Sequence, residues 1–165
     1  MHSCRRVRFT APSNLGSYQF GCNKIAPYEC MKEHTMFIPP GFGTVTPYFF
    51  VHDAERFVDF LVKGLGGVEV CERSLRPDGR IANAQIRLGT STVMVSEASE
   101  KYPPMPASYY LYVENADAAM AQALAHGATL EMAVGDMPYG DRQGGVRDTH
   151  GNIWWVSQRL VNGPY

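Results

Sequence analysis

Along most of the chain the apolar positions alternate, change to helical spacing, and then alternate again. Between Thr44 and Val51, Thr46, Tyr48 and Phe50 fall on one face of an extended segment, with Phe49 and Val51 on the other. Asp53 stands where a helix N-cap belongs. Ala54, Phe57, Val58, Leu61 and Leu65 follow at helical spacing until Gly66 and Gly67 stop the helix. Val68 to Arg73 reads as a second strand, Arg76-Pro77-Asp78-Gly79 as a hairpin turn, Arg80 to Leu88 as a third strand and Thr92 to Glu97 as a fourth.

After a proline-rich linker the same order returns. Ser108 to Val113 is a strand. Asn115 caps a helix carrying Ala116, Ala119, Met120, Ala123 and Leu124, and Gly127 ends it. Thr129 to Val134, Asp141 to Arg147 and Asn152 to Gln158 are the remaining strands. A displacement of 62 residues carries Thr46, Tyr48 and Phe50 onto Ser108, Tyr110 and Tyr112. It also carries Ala54, Phe57, Val58 and Leu61 onto Ala116, Ala119, Met120 and Ala123. Strand face and helix face stay in register together, which predicts an α+β chain of two tandem βαβββ modules. The modules span 44–98 and 107–158, with a linker at 99–106, inside a domain at 37–160. One face of each sheet lies under its helix, and the other module is the expected cover for the opposite face.

The last two strands are joined by Asp148-Thr149-His150-Gly151, a turn in which Asp bonds its own backbone and Gly takes a positive φ. Trp154 and Trp155, adjacent in a strand, must face opposite ways. Trp154 is expected in the core and Trp155 on the cavity side.

Composition removes several function classes. With 45% hydrophobic and 19% charged residues, 165 residues sustain a packed core. A net charge of -1 gives no reason to expect a nucleic acid or an acidic membrane as partner, and no apolar run approaches a membrane span. Residues 1–36 hold Arg5, Arg6 and Arg8, no sustained period and no apolar signal-peptide core, so they read as a disordered extension, with Met31 or Met36 as the natural start. Residues 161–165 form a short tail. Cys4, Cys22, Cys30 and Cys71 show no CxxC spacing, and Cys22, Cys30 and His34 lack the fourth partner of a closed zinc site. Free thiols in a reducing cytoplasm are the preferred reading. No GxSxG, P-loop or dinucleotide fingerprint is present.

Several segments carry a family resemblance. They are Thr46-Pro47-Tyr48-Phe49-Phe50-Val51-His52-Asp53-Ala54, Ile86-Arg87-Leu88-Gly89, Tyr112-Val113-Glu114-Asn115-Ala116-Asp117, Ala125-His126-Gly127-Ala128, and Tyr139 to Arg142 followed by Asp148 to Trp155. In these the chain resembles the vicinal oxygen chelate superfamily of glyoxalase I, extradiol dioxygenases and bleomycin-resistance proteins, and in particular its glyoxalase-like branch. The resemblance implies a cup-shaped curved mixed sheet with helices outside, a small molecule held in the cup, and a homodimer. In catalytic members it also implies a divalent metal held by His, Gln or Glu from the first and last strands of each module.

Carried onto this sequence, those positions fall on Thr46, Ser108, Met94 or Val95, and Trp155. None is an ordinary ligand for a divalent ion. Glu97 offers a single carboxylate. His52 precedes a helix and reads as surface or capping, His126 sits at a helix C-terminus, and His150 lies in a turn. The expectation is therefore no metal and no other cofactor. The site is expected to hold a planar aromatic or cationic small molecule among Thr46, Tyr48, Asn83, Gln85, Ser108, Tyr110, Tyr139, Arg142 and Trp155. Two alternatives stand beside it. The aromatic residues could simply fill the gap between modules. The chain could also be a metal-dependent lyase, isomerase or dioxygenase with a divergent site at Glu97, Asn83 or His52.

Overall fold

The computed structural model describes residues 37–164. The expectations placed on 1–36, including those for Cys4, Cys22, Cys30 and His34, lie outside the described residues. The first module runs β1 (Tyr48–Val51), α1 (Ala54–Asp59), a π-helical turn (Phe60–Gly64), β2 (Val68–Glu69), β3 (Ser74–Leu75), β4 (Ile81–Leu88) and β5 (Ser91–Glu97). The second runs β6 (Ser108–Tyr112), α2 (Ala116–Ala125), β7 (Thr129–Asp136), β8 (Asp141–Arg147) and β9 (Ile153–Arg159). The sheets have orders β1-β5-β4-β2, with β3 also on β4, and β6-β9-β8-β7. In each, the first strand runs parallel to the last and the other pairings are antiparallel. This is the expected α+β arrangement of two tandem modules, with one short strand more in the first, β3, than βαβββ requires.

The boundaries shift for local reasons. β1 starts at Tyr48 rather than Thr44, because Pro47 has no N–H to give a ladder, although its carbonyl still accepts from Met94 N at 2.9 Å. The strand expected over Val68 to Arg73 pairs with β4 at Val68–Glu69, and one further bond runs from Val70 N to Gln85 O at 3.0 Å. It is an edge strand with Val68 52% exposed, and an Arg73–Glu69 ion pair ties down the segment beyond Val70. The first helix widens at its end: Leu65 N donates to Phe60 O at 3.1 Å, five residues back, and Gly64 leaves room for the Phe60 ring, which would stand 2.8 Å from a Cβ there.

The internal repeat reaches into the hydrogen bonds. Asp53 and Asn115 each cap their helix, accepting from Arg56 N and Ala118 N. Glu97 at the end of β5 takes Ala54 N at 2.9 Å, and Gln158 near the end of β9 takes Ala116 N at 3.2 Å. The last strand of each module thus satisfies the start of its own helix.

One hydrophobic core serves both modules. Phe49, Phe57, Ile86 and Val95 from the first join Met120, Val146, Trp154 and Val156 from the second. The Phe49 ring lies 5.0 Å from Phe57, 4.8 Å from Tyr109 and 6.0 Å from Trp154. Gln122 of α2 donates to the carbonyl of Lys63 in the π-helical turn at 2.7 Å. The modules of one chain therefore meet through their helix-bearing faces. This corrects one expectation: the other module covers the helix side of each sheet, and the opposite sheet faces stay open. Helices supply the larger apolar surface, with Phe57, Val58 and Leu61 all fully buried, so burial is greatest when both helix layers share one core.

Candidate functional site

Each open face is a strip of alternate residues. On the first module it carries Tyr48 and Phe50, 4.6 Å apart between ring centroids, with Met94, Asn83 and Gln85 beside them. Gln85 Nε2 donates to Asn83 Oδ1 at 3.4 Å. Thr46 lies ahead of β1 and donates its hydroxyl to Gly43 O at 3.2 Å. Phe50 stacks on Tyr102 of the linker at 5.4 Å.

The open face of the second module is more elaborate. Ser108, Tyr110 and Tyr112 come from β6, Asp141, Gln143 and Gly145 from β8, and Trp155, Ser157 and Arg159 from β9. The Trp155 indole lies over Gly145, where a Cβ would come within 2.7 Å of the ring, and its Nε1–H donates to Ser108 Oγ at 2.8 Å. Gly145 therefore lets the indole lie down, and Ser108 pins its far edge. Beside it, Asp141 is fully buried and accepts from Ser157 Oγ at 2.8 Å and from the Arg159 guanidinium at 2.8 Å. The Tyr110 hydroxyl sits 3.0 Å from Gln143 Oε1 and 3.3 Å from Asp141 Oδ2, and Tyr139 donates to the same Gln143 oxygen. Desolvation, followed by the influence of neighbouring Tyr110, pushes the Tyr139 phenol above its ordinary pKa. The result is a flat aromatic floor with a phenol edge locked by a buried carboxylate and its guanidinium.

The expected site residues thus separate. Thr46, Tyr48, Asn83 and Gln85 belong to one module's side, and Ser108, Tyr110, Tyr139 and Trp155 to the other's. Arg142 belongs to neither open face. It has the opposite parity in β8, faces α2, and forks Asp117 at 2.6 and 2.9 Å while reaching Asp136 at 2.8 Å. The Arg142 bond holds the Asp117 carboxyl below its ordinary pKa. A depressed carboxylate pKa gives stability that is present above the unfolded value and lost as pH falls through the folded one. Asp117→Asn is accordingly expected to flatten the loss of thermal stability below about pH 4, as followed by circular dichroism.

Asp141, Gln143, Ser157 and Arg159, none of them among the expected site residues, complete the polar part of the second face. Their signal was available in the alternation that sets Asp141, Gln143 and Gly145 opposite Arg159, Ser157 and Trp155.

The donor set does not fit the metal of catalytic relatives. Among the described residues no three His, Cys, Asp or Glu side chains gather as a metal-holding group. Glu97, the carboxylate of the metal-dependent alternative, points to the helix side, where its two oxygens accept from Asp53 N at 3.1 Å and Ala54 N at 2.9 Å. His52 lies 4.0 Å from Glu97 on that same side, apart from Asn83 on the open face.

Comparison with known proteins agrees with this architecture. The family model described as Glyoxalase/Bleomycin resistance protein/Dioxygenase superfamily matches residues 41–156. The chain belongs to this superfamily. An uncharacterized protein of Mycobacterium bovis is 34% identical over 131 residues, covering 72% of this chain and 86% of that protein. A Mycobacterium tuberculosis counterpart, also uncharacterized, is 34% identical over 131 residues, with 72% and 76% covered. Among solved structures, TioX from Micromonospora sp. ML1 superposes with a TM-score of 0.58 at 26% identity, covering 74% of this chain and all (100%) of that one. TnmS3, an antibiotic binding protein from Streptomyces sp. CB03234, superposes with a TM-score of 0.54 at 20% identity, covering 71% and 97%. No helix among the described residues is long and apolar enough to cross a membrane.

Proposed function

We propose that this protein binds a planar aromatic or cationic small molecule on the Trp155 face, without a resident metal or other cofactor. The observation that carries the reading is the Trp155 indole, laid over Gly145 and tied to Ser108 on an open sheet face. An indole offers stacking and cation–π attraction where a catalytic relative needs a donor to a divalent ion. The locked Tyr110 edge supplies orientation through its hydroxyl. The same fold is found in TnmS3, an antibiotic binding protein, which supports a small-molecule ligand here.

The cup is completed in this reading by a second copy, whose first-module face of Tyr48, Asn83 and Gln85 closes over the Trp155 face. Tyr48, Tyr110 and Tyr112 are 39%, 44% and 55% exposed, which suits surfaces awaiting a partner. A homodimer burying about 1,200–2,000 Å² would cover them. The exposed free thiol of Cys71 suits a reducing compartment such as the cytoplasm.

The test is titration of planar aromatic compounds followed by tryptophan fluorescence. Quenching that saturates in the native protein, with affinity lowered about tenfold or more in Trp155→Ala, is expected from the loss of about 1.4 kcal/mol of stacking. Equal affinity in the variant would remove Trp155 from the site. Sedimentation of the protein as a monomer at every concentration would remove the second copy.

A further inference from the structure

We propose that a groove centred on Arg56, at the start of α1 and apart from the Trp155 face, binds the oxyanion of a small apolar acid. Two cavities of about 310 and 210 Å³ adjoin there, sharing Arg56 and Thr149 in their walls. The first lies between the start of α1, the β8–β9 turn and the linker prolines. The second lies between α1, the π-helical turn and the end of α2.

Arg56, Lys63 and three imidazoles line the walls. Every histidine among the described residues lines one of the two cavities: His52 and His150 the first, His126 the second. Arg73, Arg142, Arg147 and Arg159 are each committed to a carboxylate, whereas no ion pair among the described residues engages Arg56. The two lining carboxylates are already engaged. Asp53 accepts from Arg56 N at 3.4 Å and Asp59 pairs with Lys63 at 2.9 Å. Asn152 is locked as well, its Nδ2 given to Asp148 and its Oδ1 accepting from Ala107 N. A ligand therefore meets cation and imidazole rather than amide.

Two of the imidazoles have fixed orientations. His126 Nδ1 faces the carbonyl of Gln122 at 2.9 Å, so that nitrogen carries the proton and Nε2 is left to turn outward. His150 Nδ1 meets Thr149 Oγ1 at 3.2 Å, and its ring packs edge-on against Phe57 at 4.9 Å. Opposite them, Phe50, Pro104, Met105 and Pro106 give the first cavity an apolar wall. Arginine beside apolar surface recognises a carboxylate or phosphate carried on an apolar body.

Arg56 and Lys63 balance Asp53 and Asp59 in formal charge along the two walls. The other carboxylates near these histidines are Glu97, 4.0 Å from His52 and occupied with backbone N–H groups, and Asp148, which accepts from His150 N at 2.8 Å.

The test is an amide chemical-shift titration of the whole protein with benzoate and with phenyl phosphate. Saturable shifts are expected at His52–Arg56 and Thr149–Gly151. The Kd should rise about tenfold or more in Arg56→Gln, an exposed position whose loss leaves the fold intact. Whichever probe binds more tightly identifies the preferred oxyanion. Shifts that never saturate, a Kd unchanged in Arg56→Gln, or shifts confined to Ile153–Arg159 on the open face would overturn the proposal. A failure of the Trp155 reading would leave these outcomes untouched, since the two sites share no side chain.

Discussion

Asp148→Ala is expected to lower the unfolding free energy by about 3–5 kcal/mol. Asp148 is 4% exposed, and its two oxygens hold four donors. Oδ1 accepts from His150 N at 2.8 Å and Asn152 N at 3.0 Å, and Oδ2 accepts from Asn152 Nδ2 at 2.8 Å and Trp154 Nε1 at 2.9 Å. Alanine would leave all four without their acceptor in a buried turn. The damage travels further, because Asn152 Oδ1 accepts from Ala107 N at 3.1 Å and so fixes the entry to β6. Asp148→Asn keeps one acceptor oxygen and should cost clearly less, about 1–3 kcal/mol. Urea unfolding with an unchanged slope would show that the loss lies in the native state. A loss under about 1 kcal/mol for the alanine variant would mean the turn does not depend on this carboxylate.

Phe49→Ala carries the second large effect, also about 3–5 kcal/mol. The ring is 2% exposed and touches Phe57 in its own module, and Tyr109 and Trp154 in the other. Its removal leaves a cavity between two sheets that neither can collapse into alone. Trp154 fluorescence and hydrogen exchange in β4 and β5 should therefore report the same drop in stability. A drop seen only in the first module would show that the shared core does not couple them. Phe49→Leu, which fills most of the space, should lose less.

Much of the fold was legible because the repeat preserves two periods at once. The 62-residue displacement aligned β1 with β6 and α1 with α2, and the same offset aligns Asp53 with Asn115 as caps. Glu97 and Gln158, offset by 61, could have been recognised as helix-capping partners in the same way, which would have withdrawn Glu97 from the metal-dependent alternative. Strand alternation also separated Trp154 from Trp155: Trp154 is 2% exposed and bonded to Asp148, and Trp155 lies on the open face.

What the pattern could not tell was which faces of the two modules meet. Alternation assigns a residue to a face, but both faces of these sheets carry aromatics. Tyr109 goes to the core and Tyr110 to the open side, one residue apart. The choice depends on total buried area and helix packing, which are properties of the whole domain. Arg142 shows the same limit in miniature. It lies next to Asp141 in sequence, yet one step along a strand turns it to α2 and Asp117, while Asp141 faces the Tyr110 network.

The most direct test of a metal-free aromatic binding site is calorimetric titration of a panel of planar aromatic compounds into the protein, with and without a strong chelator. The account predicts saturable binding, one ligand per chain, unchanged by the chelator and lost in Trp155→Ala. Binding that appears only with a stoichiometric divalent ion, and that survives the loss of Trp155, would contradict it.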